Sequence, residues 1–363
     1  MKILNIVTTR FEISGITNSV MNYFRYIDKS DMSIDFLVPN KVPSRLKDEI
    51  ESNGGRVFEV ERNRRPLSYF NNLVSIISKE KYDIVHAHGN SSTLVIEMLA
   101  AKKAGVNIRI AHSRNTTCKY LKIDKILRPL FHRYYTHGFA CGEAAGKWLF
   151  GNRKFTVITN GNVIEKFAFR ENVRKEYRKK YNIENQKVIG HVGSFNYQKN
   201  HEFLIDIFKR IINLDSNYTL MLVGDGPLMP SIQDKVRSLN IEDKVIFIGK
   251  SFEVDKIVQA MDIMVLPSRY EGLPNVVVEW QIAGLQSVIS DCVTKEVMLT
   301  ENVEFLPLET GADLWANEII KTKLVDRKLE REKIISEITK AGFNVKENAK
   351  DLKKIYLNLV NNC

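Results

Sequence analysis

The sequence predicts an α/β protein of two domains with parallel sheets. Short runs rich in Val and Ile recur along the whole chain, bounded by Gly, Pro and Asp. Apolar runs of this length are strands buried on both faces. Segments with apolar residues at helical spacing separate them, and such alternation gives parallel strands joined by crossover helices. With 363 residues, the chain holds about two domains of roughly 100–200 residues each.

In the first half the strand runs are residues 3–7, 34–38, 83–88, 108–112, 138–141 and 155–159. In the second half they are residues 188–192, 219–223, 245–248, 263–266, 287–290 and 303–306. Helical patterns occupy 91–104, 201–214, 228–239 and 275–283, and another opens at Ser14-Gly15 and runs to Ile27. The alternation pauses at residues 171–186, which are polar and densely charged, and a strand signal restarts at Val188. The predicted domains are therefore 1–170 and 171–343, followed by a C-terminal helix within 344–363. That helix places Val345, Ala349, Leu352, Tyr356 and Leu359 on one face and is expected to pack back on the N-terminal domain. Gly342 is placed to end the helix before it.

The apolar share of 44% and charged share of 27% are those of an ordinary globular protein. A chain this long buries sizeable cores without disulfides. Cys118, Cys141, Cys292 and Cys363 form no C-x-x-C pair and read as reduced, scattered thiols. The N-terminal apolar stretch is too short for a signal-peptide core, and no run approaches the roughly 18–20 residues of a membrane span. The expected location is the cytoplasm, with peripheral contact at the inner face of the cell membrane. The net charge of +11 calls for an anionic partner: nucleotide phosphate, anionic lipid or nucleic acid.

The densest chemistry lies at Pro267-Ser268-Arg269-Tyr270-Glu271-Gly272-Leu273-Pro274-Asn275-Val276-Val277-Val278-Glu279. A buried strand ends at Pro267, and a helix begins near Asn275, a good N-cap residue preceded by proline. Ligands of open α/β sheets bind beyond the carboxyl ends of strands, where a helix N-terminus offers unpaired N–H groups to a phosphate. Gly272 allows close backbone approach. Glu271 in the loop and Glu279 one turn into the helix are acceptor-only carboxylates, suited to the vicinal diols of a sugar ring and a ribose.

The run E-G-L-P-N-V-V-V-E, followed by Ala283-Gly284, resembles the E-x7-E motif of retaining glycosyltransferases. End to end the chain looks like a bacterial member of glycosyltransferase family 4, in the branch that builds capsular and exopolysaccharides. The resemblance implies the GT-B fold: two Rossmann-like domains facing across a cleft, acceptor-binding first and donor-binding second. It implies that Glu271 holds a hydroxyl of the donor sugar and Glu279 the ribose hydroxyls. The N–H groups around Gly272, Leu273, Asn275 and Val276 would face the sugar and diphosphate. The loop Gly193-Ser194-Phe195-Asn196-Tyr197-Gln198-Lys199-Asn200-His201 looks like the family's G-R-x-x-x-x-K-G/N-H segment. Lys199 would there contact the donor diphosphate and stabilise the leaving group. Ser194 stands where the family usually has arginine, so one diphosphate contact is missing or supplied from elsewhere. Gly224-Asp225-Gly226-Pro227 matches a turn beside the donor pocket and supports the fold rather than the chemistry.

In the first half, Gly15 is what remains of a Gly-Gly pair that approaches the donor phosphate in the family. His88, in His86-Ala87-His88-Gly89, is placed by the resemblance near the reacting sugar and acceptor, and His112 is a second candidate at the next strand end. H-x-H on one strand points both rings to one face, but no third metal ligand accompanies it in the sequence, and the chain has no D-x-D. No cofactor and no metal are expected. Residues 102–133 carry nine basic residues and one acid, interleaved with Tyr, Leu, Ile and Phe. This suits an anionic membrane surface or the solvated side of a helix; nucleic acid is not the expected partner.

The resemblance implies a hexosyltransferase that uses a nucleotide-sugar, in the family commonly a UDP-sugar, and a lipid-diphosphate-linked or saccharide acceptor. Transfer would retain configuration through front-face attack. The alternatives are a sugar-nucleotide epimerase of the same fold and a non-catalytic sugar-nucleotide-binding subunit.

Overall fold

Each apolar run read above as a strand overlaps a strand in the computed structural model, which describes residues 1–12, 14–62 and 66–362. All pairings between these strands are parallel. Contacts divide the chain into two units, Met1–Asn162 with Gly342–Cys363, and Val163–Ala341. Cys363 lies outside the described residues; Cys118, Cys141 and Cys292 are free thiols.

The first unit holds β1 (Lys2–Val7), β2 (Ser33–Val38), β3 (Val57–Glu59), β4 (Ile84–Gly89), β5 (Ile108–Ser113), β6 (His137–Ala140) and β7 (Thr156–Val157). Their order in the sheet is β3-β2-β1-β4-β5-β6-β7. β3 is not among the apolar runs: two half-buried residues and an exposed Glu59 leave no pattern to read. The helices are α1 (Gly15–Tyr26), α2 (Ser44–Ser52), α3 (Pro66–Glu80), α4 (Val95–Lys103), α5 (Leu121–Tyr134) and α6 (Glu143–Phe150). The helical pattern at 91–104 begins as a 3-10 turn, Ser92–Leu94, before α4. Side chains alternate across the sheet. Ile3 and Val7 enter the core shared with α1, whereas Leu4 and Ile6 enter the core shared with α3 and α4.

The second unit holds β8 (Lys187–Val192), β9 (Tyr218–Val223), β10 (Val245–Gly249), β11 (Ile263–Leu266), β12 (Gln286–Ser290) and β13 (Val303–Leu306), in the order β10-β9-β8-β11-β12-β13. Its helices are α7 (Ile164–Phe167), α8 (Glu171–Lys180), α9 (His201–Leu214), α10 (Met229–Ser238), α11 (Val254–Ile257), α12 (Asn275–Ile282), α13 (Gly311–Lys321) and α14 (Arg331–Lys340). The charged run predicted to mark the boundary is α8, and the boundary falls earlier, at Asn162/Val163. The charge has a structural use. Arg170 bonds the Asp255 carboxylate at 3.0 Å, while Arg174 and Arg178 grip Asp262 and the carbonyls of Gln259, Ala260 and Met261. These bonds tie α8 to the segment entering β11, so the helix belongs to the second unit although it buries little apolar surface.

After α14 the chain turns at Gly342, which has φ +80°, the left-handed conformation that glycine adopts without steric cost. It then returns to the first unit as α15 (Val345–Asn361). Ala349, Leu352 and Tyr356 enter the same core as α1 and β1. Lys353 pairs with Asp28 and Asp31, each at 2.7 Å.

Candidate active site

Sheet order reverses between β8 and β11, so the loops leaving these two strands lie side by side at the switch point, where open α/β sheets bind ligands. The two richest sequence motifs are those loops. Lys199 Nζ lies 2.6 Å from Glu271 Oε1, with side-chain exposures of only 14% and 9%. Gln198 Nε2 donates to Glu271 Oε2 at 2.9 Å and to the Tyr270 carbonyl at 3.0 Å. Ser268 Oγ donates to Glu271 Oε1 at 3.0 Å. The Arg269 amide donates to Gln198 O at 2.8 Å, and its guanidinium bonds Tyr197 O at 2.7 Å while covering the Tyr197 ring. Glu271 is thus an oriented carboxylate with three donors, and Lys199 is a nearly desolvated cation held against it. Gln198, Ser268 and Arg269 stand inside the two motifs, and the sequence signal for them is no more than polar residues near a candidate carboxylate.

Ser194 Oγ donates to Asp225 O at 3.0 Å, so its hydroxyl proton is committed to the loop after β9. Gly224 in that loop has φ +138°, and a Cβ there would stand 2.0 Å from Gly193 O. Only glycine allows the two loops to approach this closely.

Asn275 is the first residue of α12, with Pro274 at the cap position and no side-chain capping bond. The prediction of Asn275 as N-cap is corrected by one residue, because the preceding proline supplies the extended cap geometry. Gly272, Leu273 and Val276 are half-buried around this helix start. Glu279, one turn on, is also half-buried. Burial raises its pKa to about 8, opposed by the charge of Lys166 and reinforced by that of Asp255. At neutral pH it is therefore largely protonated, able both to donate and to accept.

In the first unit, His86 and His88 on β4 and His112 on β5 come together, with one ring nitrogen from each within 4.8 Å of the others. The sequence reading that H-x-H lacks a third ligand is corrected: β4 and β5 pair in register, setting His88 opposite His112. The cluster is nevertheless a hydrogen-bonded chain. His86 Nδ1 lies 2.6 Å from Tyr356 Oη and His86 Nε2 3.0 Å from His112 Nδ1. His88 Nε2 lies 3.0 Å from Asn5 Oδ1, and Arg114 donates to His88 Nδ1 at 3.0 Å. Burial holds all three imidazoles well below the usual histidine range, and the Arg114 charge lowers them further. They are neutral rings beside a fixed cation, a setting that disfavours a second cation. His88 has no uncommitted ring nitrogen. Gly15 is the exposed first residue of α1, after a Ser14 side chain that accepts from the Thr17 amide at 3.3 Å.

The basic stretch 102–133 is not one surface. Arg114 is buried and reaches Asn160 Oδ1 at 2.9 Å and Ser19 Oγ at 3.2 Å. Arg109 is bonded to the carbonyls of Tyr134 and Val106, and Arg128 to Asp124 and the Trp148 carbonyl. The other six basic residues are exposed: Lys102, Lys103 and Arg133, and Lys119, Lys122 and Lys125, which lie beside Tyr120, Leu121, Ile123 and Ile126, the last 75% exposed. No helix among the described residues is long and apolar enough to cross a membrane.

The sequence matches the profile of the family described as Glycosyltransferase Family 4 over residues 13–164, and that described as Glycosyl transferases group 1 over residues 186–322. It is 33% identical to the putative glycosyltransferase EpsF of Bacillus subtilis (strain 168), over 94% of this chain and 93% of that protein. It is 27% identical to the UDP-Gal:alpha-D-GlcNAc-diphosphoundecaprenol alpha-1,3-galactosyltransferase of Escherichia coli, over 96% and 95%. Among solved structures, HepE of Anabaena in complex with UDP superposes with a TM-score of 0.78 at 19% identity, over 99% of this chain and 100% of that one.

Proposed function

Since the chain belongs to glycosyltransferase family 4 and is a glycosyltransferase, we propose that it moves a sugar from a UDP-sugar, with retained configuration, onto a saccharide carried on a lipid diphosphate. The product would be an exopolysaccharide, capsular or other cell-envelope glycan. The observation that carries the donor assignment is the Lys199–Glu271 pair at 2.6 Å, beside the start of α12. A cation already stripped of most of its water is prepared for an anion. The donor diphosphate replaces the carboxylate at Lys199 at little further desolvation cost, and Glu271 turns to a hydroxyl of the sugar. The N–H groups of Gly272, Leu273, Asn275 and Val276 complete the anion site. Glu279 binds the ribose. Ser194 leaves the usual arginine contact to these backbone groups. HepE, with the same fold, has been solved with UDP and with UDP-glucose, and the relative from Escherichia coli is named for a UDP-sugar donor and a diphosphoundecaprenol-linked acceptor; both support the reading.

In the reaction the bond from the sugar to the diphosphate breaks as the acceptor hydroxyl attacks from the same face. The departing oxygen takes the acceptor proton, and Lys199 and the helix start stabilise its charge. His88 and His112 are assigned to the acceptor side. No residue is assigned to a metal.

The test is transfer from a panel of UDP-sugars to a polyprenyl-diphosphate-linked saccharide in excess chelator, with the anomeric outcome read by NMR. Undiminished transfer with retention is expected. Lys199→Ala should lower kcat by about 10²–10³-fold, the usual effect of removing one stabiliser of developing charge. Glu271→Ala should lower turnover more than UDP affinity, and wild-type turnover in that variant would overturn the site. Formation of a new sugar nucleotide from donor alone would make the protein an epimerase.

A further inference from the structure

We propose that Gln198 is a positioning residue for Glu271: its side-chain amide keeps the carboxylate in place while Lys199 exchanges that carboxylate for the donor diphosphate. The proposal rests on the reading of the site given above and deepens it, since it assigns what holds Glu271 once the donor is bound.

The exchange creates the need. Glu271 has three side-chain donors, and Lys199 is the one that an anionic donor draws away. A carboxylate left with no other partner would follow the cation or turn to water, and a misplacement of about 1 Å costs on the order of 100-fold in rate. Glu271 keeps two partners. Lys199 Nζ and Ser268 Oγ approach Oε1 at 2.6 and 3.0 Å, and Gln198 Nε2 approaches Oε2 at 2.9 Å. Departure of Lys199 therefore opens a place on Oε1 and leaves Oε2 held. A sugar hydroxyl that takes the vacated place gives the carboxylate three donors again.

The direction of the Gln198 bonds is fixed by its partners. The amide end faces the Glu271 carboxylate and, at 3.0 Å, the Tyr270 carbonyl. A carboxylate paired with a lysine and a backbone carbonyl can only accept. The amide nitrogen therefore faces them, and each of its two protons has one acceptor. The main chain of Gln198 is fixed as well, because its carbonyl accepts from the Arg269 amide at 2.8 Å. One residue of the loop after β8 thus holds three consecutive residues of the loop after β11: Arg269, Tyr270 and Glu271. None of these bonds uses Lys199. The Lys199 amide donates to Asn196 Oδ1 at 3.0 Å, so its main chain is anchored and its ammonium can change partner without moving the loop. Ser268, which is buried, holds the other oxygen from within the β11 loop; Gln198 reaches it from the opposite loop.

The test compares the full-length parent with Gln198→Met and Gln198→Glu, by UDP calorimetry and by transfer from the UDP-sugar that the panel above selects. Gln198→Met keeps the length of the side chain and removes both N–H donors. It should lower kcat roughly 10–100-fold, as for one hydrogen bond to a charged group, with UDP affinity unchanged. Retained UDP binding also shows that the variant is folded. Gln198→Glu sets two carboxyl groups in contact. Like charge raises the pKa of such a pair, and the introduced group donates as the amide does only when protonated. The kcat of this variant relative to the parent should therefore rise as pH falls. In a Glu271→Ala background, adding Gln198→Met should cost no further turnover, because the amide then has no carboxylate to hold. Parental kcat in Gln198→Met, a loss of UDP affinity that matches its loss of kcat, a pH-independent ratio for Gln198→Glu, or additive losses in the double variant overturns the proposal. Parental turnover in Glu271→Ala marks failure of the site reading itself, and the proposal falls with it; impairment there beside parental kcat in Gln198→Met overturns the proposal alone.

Discussion

If Glu279 binds the ribose as proposed, its ionisation is linked to donor binding. Its pKa stands at about 8 against an ordinary 4.5, chiefly because burial disfavours the charged form. Diol hydroxyls donate to a carboxylate and favour its ionised form, so nucleotide binding should release a proton below pH 8. UDP affinity is therefore expected to rise with pH between 6 and 8, by up to about tenfold per unit, and to level off above. Calorimetry in buffers of different ionisation enthalpy reads both the affinity and the proton. Glu279→Gln should bind with a flat pH profile, and an unchanged slope in that variant would remove Glu279 from the ribose. The stability linkage has the opposite sign. The folded form holds a proton that the unfolded form loses above its pKa of 4.5, so this group's contribution falls as pH rises from there toward 8. The residue types of the donor loops were legible as motifs, but the Lys199–Glu271 pair was not, since sequence separation says nothing about which strand ends are neighbours. Arg114 is the sharper lesson. It counted as one of many surface charges, and only the packing of α1 and β5 buries it.

At the scale of the element, α5 separates charge used inside the protein from charge offered to a partner. Arg128 is tied to Asp124 and the Trp148 carbonyl, so changing it would disturb the fold of α5. Lys119, Lys122 and Lys125 are exposed at and just before its start, beside apolar side chains of which Leu121 is 50% and Ile126 75% exposed. We propose this face as a contact with anionic lipid. Each lysine near such a surface contributes about 1 kcal/mol. Changing all three to Gln should therefore weaken binding to phosphatidylserine-containing vesicles by about 100-fold, with UDP affinity unaltered because the residues proposed to hold the donor lie in the other unit. Sedimentation with vesicles at two salt concentrations measures it. Binding that survives the triple change would return α5 to the role of a solvated helix. The α8 run shows the opposite outcome for a charged segment: its arginines are directed at Asp255, Asp262 and backbone carbonyls. Composition does not distinguish the two cases, because it cannot say whether acceptors wait on a neighbouring strand.

At the scale of the molecule, the chain is not two consecutive domains. α15 returns to the first unit and buries Leu352 and Tyr356 in its core. Burying a large apolar side chain contributes about 1.5–3 kcal/mol, and domains are stable by only about 5–15 kcal/mol. A chain ending at residue 341 should therefore lose much of the stability of its first unit while the second keeps its own core. Differential scanning calorimetry of the truncated protein should show the lower transition shifted down or absent, and the transition that UDP raises retained. An unshifted pair of transitions would show that α15 is dispensable.

The sequence by itself determined the local and repetitive features: strands with both faces apolar, helices at helical spacing, loops at strand ends rich in glycine and acid, and the family those loops resemble. These are set by period and residue type within a few positions of one another. The tertiary structure decided which strand ends are adjacent, which of many basic residues are buried, where α15 packs, and that His112 joins the H-x-H pair. The physical reason is that strand order and register, not sequence distance, place these groups. The polar partners that bury a histidine cluster or desolvate a cation come from elements far apart in the chain, and local pattern carries no record of them.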